Sequence, residues 1–113
     1  MELKKKVAVV TGSSVGVGRA TALRLAERGC SVVINYTRSR SEAEEAAALC
    51  REKNVGAITV QADVSVEADC VRLIQAAVDS FGRLDVLVNN AAFTKFVEFG
   101  DLDGMTEELW MRI

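Results

Sequence analysis

Short, continuous apolar runs punctuate the chain, each closed by a turn and followed by apolar residues at helical spacing. The first run, Val7-Ala8-Val9-Val10, has no polar alternation and predicts a strand buried on both faces, as in a parallel sheet. From Gly18 onward, Ala22, Leu23, Leu25 and Ala26 recur at helical intervals, and Gly29, following Glu27 and Arg28, predicts a left-handed C-terminal cap. Val32-Val33-Ile34 repeats the buried-strand pattern, and the stretch from Ser41 to Leu49 opens with a capping residue and an acidic first turn. Ala57-Ile58-Thr59-Val60 predicts a third strand. Val66 to Phe81 predicts a third helix, with Val71, Ile74, Ala77 and Val78 as its inward stripe and Gly82 as its terminator. Leu84 to Val88 predicts a fourth strand, Ala91 to Asp103 has no clear period and reads as a loop, and Thr106-Glu107-Glu108 opens a helix that the last residue cuts short.

Strands alternating with helices at this interval predict right-handed crossovers and a parallel sheet covered on both faces. The expectation is an α/β fold, the first half of a Rossmann-type doubly wound sheet in strand order 3-2-1-4, truncated, with nucleotide bound at the carboxyl ends of the strands. The whole length, 1–113, is expected to form one incomplete dinucleotide-binding domain, half of whose residues are apolar. In a full sheet of this kind a fifth strand covers the fourth. Without it, Val86-Leu87-Val88 would present an unpaired apolar edge, so self-association into a homo-oligomer is expected.

Composition narrows the chemistry mainly by exclusion. The net charge is -2 and no long basic run exists, which argues against a nucleic-acid partner. No apolar stretch approaches the roughly 20 residues that span a bilayer, and no apolar h-region of signal-peptide length follows the basic start, so no membrane partner and a cytoplasmic location are expected. With no histidine, a Ser-His-Asp triad, a histidine base and a His-ligated metal are all excluded. Cys30, Cys50 and Cys70 are odd in number and lack metal-ligand spacing, which predicts reduced, mostly buried thiols and no metal site.

The strongest chemical signal is Thr11-Gly12-Ser13-Ser14-Val15-Gly16-Val17-Gly18, placed directly between a buried strand and a helix. In that context Gly12 permits the tight turn, Gly16 lets backbone approach a pyrophosphate, and Gly18 lets helix and strand pack closely. The helix start adds free N–H groups and a partial positive charge. No Gly-Lys-Ser or Gly-Lys-Thr follows, so a Walker-type ATPase is excluded.

The spacing Thr-Gly-x-x-x-Gly-x-Gly resembles the cofactor loop of the short-chain dehydrogenases/reductases, and three further segments agree. Asp63-Val64 is similar to the family's Asp-Val pair, which implies that the carboxylate accepts from the adenine amino group; an aspartate capping the turn before the third helix is the alternative. Asn89-Asn90-Ala91-Ala92 resembles the family's Asn-Asn-Ala-Gly signature beside the cofactor ribose, with Ala92 where the family has glycine. Met105 to Trp110 is similar to the entry of the family's fourth helix. The resemblance runs from Lys6 to Ile113 and is nearest the subgroup typified by 3-oxoacyl-carrier-protein reductases.

Cofactor preference turns on the residues after the second strand. NAD-preferring folds place Asp or Glu there for the ribose hydroxyls. This chain has Asn35-Tyr36-Thr37-Arg38-Ser39-Arg40. With no carboxylate to repel a 2'-phosphate and Arg38 able to fork onto it, NADP(H) is preferred and NAD(H) remains possible. Arg38 and Arg40 as merely solvated loop charges is the alternative, and Val15 stands where many NADP-using relatives carry Arg, which counts the other way.

The resemblance implies an oxidoreductase moving hydride between a nicotinamide cofactor and a small carbonyl or alcohol substrate, with a Ser and a Tyr-x-x-x-Lys assisting. The sole tyrosine, Tyr36, is followed four residues on by Arg40, so the motif is absent and no catalytic residue is assigned. The chain is therefore expected to be a fragment that binds cofactor without turnover. A non-catalytic cofactor-sensing protein and a non-binding structural fragment are the alternatives.

Overall fold

The computed structural model describes residues 3–90 and the backbone of 96–98. Four strands, β1 (Val7–Val10), β2 (Ser31–Tyr36), β3 (Ala57–Gln61) and β4 (Val86–Val88), are parallel, in the expected order 3-2-1-4. They alternate with α1 (Gly16–Glu27), α2 (Arg40–Arg51) and α3 (Glu67–Phe81). The Rossmann-type sheet inferred from the apolar runs is thus the fold of the chain.

The strands are apolar at successive positions because both faces are covered. Ala8, Val10, Val32 and Ile34 meet Ala22, Leu25 and Ala26 of α1 and Ala43, Ala46, Ala47 and Cys50 of α2 on one face. Val7, Val9, Val33 and Leu87 meet Leu73, Ile74 and Ala77 of α3 on the other. All three cysteines are buried and outside any disulfide. Burial pushes the Cys30 thiol up to about 12 and the Cys50 thiol up to about 11, from an ordinary 9.0, so both are inert fillers of the core.

Three expectations are corrected. The inward face of α3 is Cys70, Leu73, Ile74 and Ala77, while Val71 is 62% exposed. The turn before the helix sets that rotation: Asp69 accepts from the Asp63 amide at 2.8 Å, Arg72 donates to the Gln61 carbonyl, and Cys70 turns inward onto the Val64 carbonyl. The capping position of α2 is Ser39, not Ser41, so Arg40 already belongs to the helix. Finally, the span from Ala91 to Asp103 is not wholly loop. Phe96–Glu98 forms β5, antiparallel to β4 with Leu87 opposite Val97. The outer edge of β4 is therefore paired, because its backbone groups find partners within the chain, and the argument for self-association through that edge falls away. The expected helix start at Thr106 lies outside the described residues.

Candidate functional site

The carboxyl ends of β1, β2, β3 and β4 bring together the four segments singled out in the sequence. The glycine loop leaves β1 under three constraints. Gly12 and Gly16 have φ of +57° and +63°, the left-handed region that glycine enters without strain. A Cβ on Gly18 would stand 2.2 Å from the Gly12 carbonyl oxygen and 2.9 Å from Asn90 Nδ2, so only glycine allows the start of α1 to press against the loop. A Cβ on Gly16 would meet nothing within 4 Å, leaving open space at the mouth of the turn. The three glycines thus occupy three different local surroundings.

The loop amides divide into two sets. Gly12 N–H donates to Asn35 Oδ1 at 2.9 Å and Ser13 N–H to the Asn35 carbonyl at 3.0 Å, so both point inward. Among the described residues, the amides of Ser14, Val15, Gly16 and Val17 have no acceptor. Val15 and Val17 are exposed beside them, at 52% and 68%. These N–H groups, together with the positive end of the α1 dipole, suit an anionic group.

Ser13 is buried; its hydroxyl donates to the Val10 carbonyl at 2.6 Å and accepts from Asn35 N–H at 2.9 Å. Asn35, grouped by sequence with the cofactor-choice segment, is itself only 2% exposed and lies beneath the loop instead of on its open side. Tyr36 is half-buried and packs against the core shared with α1 and α2. Thr37 and Arg38 are exposed, and the Thr37 carbonyl accepts from Gln61 Nε2. Ser39 is the N-cap residue of α2. Arg38 has no ion-pair or hydrogen-bond partner among the described residues, whereas Arg19 at the start of α1 is engaged by Glu45 of α2 at 2.9 Å.

Beyond β3, Asp63 Oδ1 accepts from the Ser65 amide at 3.0 Å and the Ser65 hydroxyl at 2.6 Å. These hydrogen bonds hold its carboxyl below the usual carboxylate range, so it is ionised at neutral pH. The turn-capping geometry considered as the alternative is therefore present, and it engages only one of the two carboxylate oxygens. Val64 packs on the α3 side of the core. Asp69 and Arg72, which hold this turn, carried a signal that sequence reasoning passed over: an acidic residue in the first turn of a helix, with a basic residue three positions on.

Beyond β4, Asn90 N–H donates to Thr11 Oγ1 at 2.8 Å and Asn90 Nδ2 to the Gly12 carbonyl at 3.3 Å, tying this segment to the glycine loop. Thr11 Oγ1 in turn donates to Asn89 Oδ1 at 3.1 Å. Ala91 and Ala92 lie outside the described residues. Among the described residues, no group of three or more Cys, Asp or Glu could hold a metal ion, and no helix is long and apolar enough to cross a membrane.

Comparison with known proteins adds to this geometry. A family model described as short chain dehydrogenase matches residues 6–113. The short-chain dehydrogenase/reductase homolog YusS of Bacillus subtilis (strain 168) is 42% identical over 109 residues, covering 96% of this chain and 100% of that protein. A Streptomyces violaceoruber protein, named as a ketoacyl reductase of granaticin polyketide synthase, is 49% identical over 95% of this chain but only 41% of its own length. Among solved structures, a Burkholderia cenocepacia J2315 short chain dehydrogenase in complex with NADP superposes with a TM-score of 0.78 at 36% identity, over 96% of this chain and 43% of that one. An NAD+-bound xylitol dehydrogenase gives a TM-score of 0.75 at 38% identity, over 82% of this chain and 35% of that one. The chain thus spans all of one relative and about two fifths of the length of the others.

Proposed function

The chain belongs to the short chain dehydrogenase family, and on that premise we propose that it is the NADP(H)-binding part of an oxidoreductase that interconverts small carbonyl and alcohol groups. The observation that carries this reading is the set of acceptor-free amides from Ser14 to Val17 at the carboxyl end of β1, beside the open space at Gly16. Those amides would hold the pyrophosphate. A bound nicotinamide dinucleotide supplies or accepts hydride. The Asp63 carboxylate has one oxygen available for the adenine amino group, while Val64 anchors the turn. The segment Asn89 to Ala92 would flank the ribose.

NADP(H) is favoured over NAD(H) because the turn after β2 presents Arg38 without a carboxylate partner, and a guanidinium forks readily onto a 2'-phosphate. Both cofactors occur among the structural neighbours, one solved with NADP and one with NAD+. A ketoacyl reductase among the relatives supports a ketone as the substrate class of the complete enzyme. Burial of three thiols outside any disulfide fits a cytoplasmic setting. A relative matched along its entire length favours a second reading, in which a chain of this size acts by itself as a cofactor-binding protein without turnover. Titration of NADPH fluorescence tests the first step: saturable binding, tighter than for NADH, is expected. No saturable change with either cofactor would overturn both readings.

A further inference from the structure

We propose that Asn35 is a positioning residue, whose buried side chain holds the glycine loop in the shape that turns the Ser14 to Val17 amides outward; the proposal rests on the cofactor reading above. Asn35 is the penultimate residue of β2 and is 2% exposed, yet all its polar groups are engaged. Its Oδ1 accepts from Gly12 N–H at 2.9 Å, and its Nδ2 donates to the carbonyls of Ala62 at 3.1 Å and Val60 at 3.3 Å. Its backbone N–H and carbonyl both bond Ser13, at 2.9 and 3.0 Å. One residue thus makes three hydrogen bonds to two consecutive loop residues.

The consequence follows from what an amide can do. Gly12 and Ser13 N–H groups committed to Asn35 cannot serve an anion, and holding them inward at a left-handed Gly12 directs the next amides to the open side. Only a carboxamide of this length meets both demands. A carboxylate would oppose the Ala62 and Val60 carbonyls, and a hydroxyl offers a single donor. The adenosine side, which Asn35 reaches only through Nδ2 on the Ala62 and Val60 carbonyls, has supports of its own. It is held by the β2–β3 ladder through Tyr36 and Gln61, by Gln61 on the Thr37 carbonyl and by Asp69 on the Asp63 amide.

These supports allow a test that separates positioning from general stability. NADPH and adenosine 2'-monophosphate, which lacks the pyrophosphate, are titrated into the unmutated chain and Asn35→Ala. Amide exchange is followed by NMR in the unmutated chain. The expected outcome is about a tenfold or greater loss of NADPH affinity on Asn35→Ala, against less than about a threefold loss for adenosine 2'-monophosphate. In the unmutated chain, Gly12 and Ser13 amides should exchange as slowly as those of Val9 and Val33, while Val15 and Gly16 exchange fast. Equal losses for the two ligands, unchanged NADPH affinity, or a Gly12 amide exchanging as fast as Val15 would each overturn the proposal. If Asn35→Ala does not fold, the exchange pattern decides. Failure of the unmutated chain to bind NADPH removes the cofactor reading alone, and the Gly12 amide still shows whether Asn35 holds the loop.

Discussion

Gly18→Ala adds one methyl group at the point where α1 presses on the glycine loop. Its Cβ would stand 2.2 Å from the Gly12 carbonyl oxygen and 2.9 Å from the Gly12 carbonyl carbon, both backbone atoms, and 2.9 Å from Asn90 Nδ2. The Asn90 side chain can turn away, but the Gly12 carbonyl cannot, because the Gly12 amide is held by Asn35 and the Ser13 amide follows it. Relief requires the start of α1 to back away from β1. Overpacking of this sort costs about 1–3 kcal/mol or more, and the helix propensity gained on replacing glycine returns at most about 1 kcal/mol in the first turn. A net loss of about 2 kcal/mol is expected, and each kcal/mol lowers Tm by about 4–8 °C for domains near 100 residues. Because the displaced turn carries the free amides, NADPH affinity should fall as well. Gly16→Ala is the matched control: it meets no atom within 4 Å and suffers only from its φ of +63°, a strain of about 1–2 kcal/mol. Thermal and urea unfolding of both variants, with NADPH titration, checks the reasoning. A Gly18→Ala chain as stable as the unmutated one and binding NADPH equally well would refute it.

Arg38→Ala should remove most of the preference for NADPH over NADH, weakening NADPH by about one to two decades and leaving NADH nearly unchanged; equal titration curves for the two cofactors in the unmutated chain would count against Arg38. Stability should be full below about pH 9 and fall above it, because the unfolded thiols ionise near 9.0 while Cys30 and Cys50 stay protonated in the fold up to about 12 and about 11. Each unit of that separation corresponds to about 1.4 kcal/mol, so Cys30→Ala should visibly flatten the decline of the urea midpoint with pH; an unchanged slope would refute the assignment. Residues 1–113 should oxidise NADPH with no ketone or acetoacetyl thioester, since Tyr36 packs half-buried against the α1–α2 side of the core and no Tyr-x-x-x-Lys is present, and a positioned acid is worth about 10² to 10⁴-fold. Turnover that survives Tyr36→Phe and removal of host reductases would overturn this.

Much of the fold was legible along the chain because its signals are local. The unbroken apolar runs Val7–Val10, Val32-Val33-Ile34 and Val86–Val88 are satisfied by strands covered on both faces, Ala57-Ile58-Thr59-Val60 adds a fourth broken only by Thr59, and turns with no crossing connections leave few orders for them. Gly12, Gly16 and Gly18 were legible for the same reason, since each reports a backbone demand within its own turn.

Other features depend on contacts distant in sequence. The phase of α3 is set by where Asp69 and Arg72 meet the end of β3, so Cys70 and Leu73 face inward and Val71 does not. Three residues, Phe96–Glu98, are too few to show a period; they become a strand because β4 has an edge to pair. The direction of a side chain at a strand end is likewise undetermined by its own segment. Asn35 turns under the loop because Gly12 and Ser13 on one side and Val60 and Ala62 on the other offer it partners. Whether an arginine is free is also a tertiary fact: Glu45 on α2 takes Arg19, and no carboxylate among the described residues reaches Arg38. The sequence by itself therefore determined the glycine-rich turn between β1 and α1, through chemistry that needs no neighbours. Only the packing of β2 between the glycine loop and β3 decided which of its amides face outward and which groups hold the loop in place.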